Sequence, residues 1–159
     1  MRVEVVRSVR RQRTVQARQV GDVLRVSIPA TLSQAEEDRW VAQMTERFER
    51  SASTEASELA PRARALASRH GLPQPASIRW VSNQEFRWGS CTPSDGSIRI
   101  SDRLGTLPAW VLDYVVVHEL AHLVVAGHNP AFWALVARYP KSERARGYLM
   151  AVGAGADLD

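Results

Sequence analysis

His118, Glu119, His122 and His128 lie in the run H-E-L-A-H-L-V-V-A-G-H, which holds three of the chain's four histidines. Residues four apart on an α-helix are a little over one turn apart, so His118 and His122 project from one side and can hold one ion between them. Glu119 points about 100° further round the axis, where a carboxylate addresses a water on the metal rather than the metal itself. With His128 as third ligand, three neutral imidazoles leave one Zn²⁺ ion a single open position, the arrangement of a catalytic rather than a structural site. Water there ionises near neutral pH, and Glu119 is placed to take its proton and later pass it to a leaving group. The alternative is a set of core histidines satisfied by neighbouring side chains. Against it, Val111, Leu112, Val115, Val116, Val117, Leu120, Leu123, Val124 and Val125 make the helix apolar nearly all round, so it reads as buried. Unpaired polar groups there cost on the order of 1–3 kcal/mol each, and one cation answers for all of them.

The groups that would steady an oxyanion are not fixed by spacing; Tyr114, Tyr139, Tyr148 and Arg87 are available, and each also has an ordinary structural reading. Asp113 and Asp102 are candidate acceptors for the second ring nitrogen of a ligand histidine, or simply acids near helix starts.

The elements that must position these groups follow from patterning. Residues 2–28 carry short β-branched runs with Gly21-Asp22 between the second and third, which predicts half-buried antiparallel strands ended by Pro29. Ser33 followed by Glu36 is a capping box, opening a helix to about Arg50 with Trp40, Val41, Met44 and Phe48 inward. A second helix is expected from about Glu55 to His70, with Leu59, Ala63, Leu66 and Ala67 inward and Gly71 as its stop. His70 suits the helix dipole there and is not read as a ligand. The run I-R-W-V is a strand, and 86–100 a hairpin with Asp95-Gly96 at its tip; Gly89 marks a bulge or a close backbone approach. Pro108 opens the metal helix and Gly127 closes it, taking the left-handed conformation that turns His128 back toward the other two. Asn129-Pro130 caps a further helix whose Phe132, Trp133, Leu135 and Val136 read as core, and Pro140 precedes a last helix near Ser142 to Val152.

The whole chain of 159 residues suits one domain, 1–152, made of a β segment (1–30), a helical segment (31–71) and a catalytic segment (76–152), with a frayed tail at 153–159. One cysteine, Cys91, excludes an internal disulfide and a Cys-rich structural zinc site, and fits a reducing compartment. No apolar run of membrane-spanning length and no signal peptide is present, so the expectation is a cytoplasmic protein without a membrane partner. The net charge of +4 is concentrated early, in Arg2, Arg7, Arg10, Arg11, Arg13, Arg18 and Arg25. That basic excess allows a nucleotide or nucleic-acid patch, although no aromatic residues are interleaved for stacking and a solvated hairpin face explains it as well.

The runs R-W-G-S-C-T at Arg87 to Thr92, D-Y-V-V-V-H-E-L-A-H-L, and G-H-N-P-A-F-W at Gly127 to Trp133 together resemble the YgjP-like metallopeptidase family, related to the SprT-like zincins. The resemblance implies an α+β, minimal zincin-like fold: an antiparallel or mixed sheet packed on helices, with His118, His122 and His128 as zinc ligands and Glu119 as general base. It also implies a peptide or protein substrate lying along a sheet edge, for which the 86–100 hairpin is the expected supplier. Metzincins share the three-histidine spacing but need Gly where this chain has Val125. Two further readings stay open: a metal-dependent pyrophosphohydrolase acting on nucleoside triphosphates, and a zinc-stabilised DNA-binding module without catalysis.

Overall fold

The computed structural model describes residues 1–56 and 58–153, which form six strands and five α-helices in an α+β arrangement. The expectation of a frayed tail falls almost wholly on 154–159, outside the described residues. The chain divides into two compact units, the first ending at Ala52 and the second starting at Ser53.

The first unit begins with β1 (Arg2–Ser8), β2 (Gln16–Val20) and β3 (Val23–Pro29), in sheet order β1-β3-β2. β2 and β3 are antiparallel across the Gly21 turn, where φ is 63°, but β1 runs parallel to β3, which corrects the all-antiparallel expectation. The reason lies in the inward faces: Val3 and Val5 align with Leu24 and Val26, so β1 buries its valines from the far side of β3. The Ser8 carbonyl accepts from Arg11 and from Ala30, turning the chain away after β1. Leu24, Val26 and Ile28 are fully buried beneath Val41, Met44 and Phe48 of α1 (Gln34–Ala56). The capping box is formed as expected: Ser33 N–H donates to Glu36 Oε2 (2.8 Å) and Glu36 N–H donates to Ser33 Oγ (3.3 Å). Trp40, expected inward, is 36% exposed, and α1 runs on to Ala56, past the expected stop at Arg50. Arg7 is held by Glu37 and by two main-chain carbonyls, Arg25 by Glu4, and Arg11 by Thr14 and Gln16, so part of the basic excess is engaged within the unit.

The second unit carries the histidines. In α2 (Leu59–His70), which starts later than expected, Leu59, Ala63, Leu66 and Ala67 are buried and Gly71 ends it at φ 63°. Sheet order is β4-β6-β5, with β4 (Ser77–Val81) parallel and β5 (Gly89–Thr92) antiparallel to β6 (Ser97–Ser101), leaving β5 at the edge. A 3₁₀ turn (Asp102–Thr106) leads to α3 (Ala109–His122), which packs against α2, β5, β6, α4 (Pro130–Val136) and α5 (Ser142–Val152). Ten consecutive-turn residues of α3, from Val111 to Ala121 with Asp113 excepted, are buried, His118 and Glu119 among them. The apolar run beyond them is not buried in the same way: Val124 is 54% exposed. No described helix is long and apolar enough to cross a membrane.

Candidate metal centre

His118 and His122 come from the last turn and a half of α3, and their ring centroids are 5.0 Å apart. The helix stops at His122, not at Gly127: Leu123 N–H donates to Leu120 and Val124 N–H to Ala121, tightening the last turn before the chain leaves. Gly127 is not among the glycines with positive φ, so the expected left-handed stop is corrected. The early stop has a direct effect on the site. It frees the Val125 carbonyl to accept from His122 Nδ1 (3.1 Å), and because a carbonyl only accepts, Nδ1 carries the proton and Nε2 keeps its lone pair.

That lone pair meets His128 Nε2 at 3.0 Å. Nitrogens of His118, His122 and His128 all lie within 4.8 Å of one another. Two nitrogens bound tetrahedrally at about 2.0–2.1 Å are separated by roughly 3.3 Å, so the histidine pair is close to the edge of a zinc tetrahedron. His118 is 3% exposed, and its Nδ1 is buried without a hydrogen-bond partner. Burial first, then the neighbouring His122 and His128, push its pKa down to about 3, which keeps the ring neutral and its lone pair free at pH 7. A neutral, all-nitrogen donor set with a buried ring nitrogen unmatched by the protein fits a divalent cation of the zinc type.

Glu119 is 5% exposed and lies against β5. A Cβ on Gly89 would stand 2.8 Å from Glu119 Oε1 and 3.0 Å from its Cγ, so this is the close approach that the glycine in the strand signalled. A cleft of about 230 Å³ opens over Glu119 and the three histidines, walled on its other side by Arg87, Gly89 and Cys91. Burial and then the charge of Glu119 push the Cys91 thiol up to about 11, so it is a protonated, weakly nucleophilic wall.

Of the four groups considered for an oxyanion, Arg87 alone lines this cleft. Tyr139 donates to the Trp110 carbonyl (2.8 Å), Tyr148 packs edge-on to Trp110, and Tyr114 is buried with its ring 6.0 Å from that of His118. Asp113 pairs with Arg62 of α2, and the acceptor on His122 is the Val125 carbonyl, so of its two readings Asp113 takes that of an acid near a helix start. His70 packs edge-on to Tyr139, apart from the site.

Sequence patterning read Phe132 and Trp133 only as core. Phe132 is fully buried, and it also stacks on His122 with centroids 4.4 Å apart and planes at 22°, while Trp133 lies 6.0 Å from His118 and 5.9 Å from His128. Their position follows from the cap: Asn129 Oδ1 accepts from Phe132 N–H (3.0 Å) and Pro130 starts α4, so the residue after His128 fixes the rings that flank it. The pairing of Asn129-Pro130 with two aromatics directly after the third histidine was the available signal.

The fold is similar to that of the metallopeptidase zymogen of Pyrococcus abyssi abylysin, with a TM-score of 0.52 and 18% identity over 58% of this chain and 91% of that chain. No curated protein sequence matches the chain. A family model described as the YgjP-like metallopeptidase domain matches residues 8–151 and so takes in both compact units and every histidine of the site. The buried H-E-x-x-H helix, the returning third histidine and that match along nearly the whole chain lead to one conclusion: the protein belongs to the YgjP-like metallopeptidase family.

Proposed function

We propose that the protein hydrolyses peptide bonds with one zinc ion held by His118, His122 and His128, and with Glu119 as general base. The observation that carries this reading is the convergence of three imidazoles on a cleft that also contains a buried carboxylate and the edge of a sheet. A zinc ion held there supplies Lewis acidity, easing the ionisation of water and polarising a carbonyl. Glu119 takes a proton from the attacking water and returns it to the departing amine, so water is added across the C–N bond to give an acid and an amine.

The chain's own main-chain groups orient the substrate. Gly89–Thr92 form the outer strand of their sheet, and an extended peptide added there would run beside Glu119. Arg99 keeps that strand in place from its other face, donating to Ser90 Oγ (2.9 Å) and Thr92 Oγ1 (2.8 Å).

The test is Glu119→Gln, with zinc content measured beside turnover of a casein-type protein and of nucleoside triphosphates. The reading expects full zinc content and a fall in proteolysis of about 10²- to 10⁴-fold. Turnover of triphosphates alone by the wild type would reject it in favour of phosphohydrolysis.

A further inference from the structure

We infer that Arg87 sets the specificity of this cleft by pairing with a substrate carboxylate, either the free C-terminus of a peptide or an Asp or Glu side chain near the scissile bond. The inference rests on the peptidase reading above. Arg87 is exposed at the cleft wall, and among the described residues its guanidinium has no hydrogen-bond or ion-pair partner. Its neighbours differ: the Arg99 guanidinium is held by Ser90, Thr92 and Ser97, and that of Arg103 by Ser101 and two carbonyls.

The main chain under Arg87 is fixed all the same. Arg103 Nη2 donates to the Arg87 carbonyl (3.0 Å) and to that of Gln84 (3.2 Å), and its guanidinium lies 4.2 Å from the Trp88 ring. Trp88 is 5% exposed, and its carbonyl accepts from Ser101 N–H (2.9 Å). An anchored backbone with a disengaged cation is suited to a ligand, because little ordering is left to be done when an anion arrives.

Charge and position select the ligand. Glu119 is the one acid of the cleft wall, so a carboxylate entering it is repelled there and drawn to Arg87, whose planar fork matches carboxylate geometry. Arg87 stands two residues before the Gly89 that touches Glu119, on the order of 7 Å along an extended chain. The carboxylate is therefore placed one or two residues from the bond that is cut.

The experiment uses the zinc-loaded protein and one fluorogenic peptide core in four forms: C-terminally amidated and neutral, free C-terminus, internal Glu, and internal Lys. For the wild type, kcat/KM is expected to be about 10- to 100-fold higher for a carboxylate form than for the neutral amide, and the two carboxylate forms tell which source is read. That ratio should collapse to about one in Arg87→Met, return in part in Arg87→Lys, and turn toward the Lys peptide in Arg87→Glu, through KM more than kcat. Equilibrium binding of the same peptides to zinc-loaded Glu119→Gln, with and without Arg87→Met, reads the preference without turnover. If no peptide is cleaved by the wild type, the peptidase reading fails, while the binding ratio still decides the role of Arg87. Equal ratios with and without Arg87, or a uniform fall in kcat at an unchanged ratio, would overturn the assignment.

Discussion

Gly89 and Glu119 show how narrow the tolerances of the site are. The backbone at Gly89 is not left-handed, so an alanine there meets no conformational barrier; it meets Glu119, the proposed general base. A methyl group 2.8 Å from Oε1 and 3.2 Å from the Arg99 carbonyl has main chain behind it, so the carboxylate must move. Gly89→Ala is therefore expected to retain zinc and fold while kcat falls about 100-fold, since displacements near 1 Å cost that much. Zinc analysis and steady-state kinetics on one preparation check it, and activity near that of the wild type would mean that Glu119 is not constrained by β5. At this scale part of the site was legible: the H-E-x-x-H spacing picked out His118, Glu119 and His122, which do line one cleft, and the glycine inside a strand marked a bulge or a close approach, of which the structure shows the approach. The sequence did not reveal which residue approached, because that depends on how β5 lies over α3.

Among the elements, α1 and α3 differ in how openly their ends are written. Ser33 and Glu36 close a reciprocal cap, and Glu36 has its carboxyl held below the usual range by the Ser33 N–H and then by the Ser33 hydroxyl. A folded pKa below the unfolded value gives stability that is present above about pH 4.5 and is lost as pH falls through the folded value. Ser33→Ala should lower stability by about 0.5–2 kcal/mol at pH 7 but flatten the acid limb only in part, because the main-chain N–H stays, whereas Glu36→Gln should remove that contribution to the limb, as read by urea unfolding at pH 7 and pH 3. An unchanged acid limb in Glu36→Gln would argue that the cap does not hold in solution. The end of α3 had no such signal. Its apolar run continues through Val125 and Gly127 offers itself as a stop, yet the turn tightens at Leu123 and Val124 reaches solvent. Trp40 and the parallel pairing of β1 were hidden for the same reason: hydrophobic spacing says that a residue can be buried, not that a surface is there to bury it.

For the whole molecule, the proposed metal site would couple metal and fold, because its histidines come from the end of α3 and from the loop between α3 and α4. Zinc that binds only the folded chain raises its stability by about 2.7 kcal/mol at 100 times Kd, so the melting temperature should climb with zinc concentration and fall on chelation. His128→Ala removes the proposed ligand of the loop and should shrink that climb severalfold; scanning calorimetry with and without zinc decides. X-ray absorption at the zinc edge of the loaded protein reads the proposed three-histidine ligand set itself. Three imidazole nitrogens and one further light atom at about 2.0–2.1 Å are expected. A sulfur at about 2.3 Å, which only Cys91 or a methionine could supply, or fewer than three imidazoles, would contradict it.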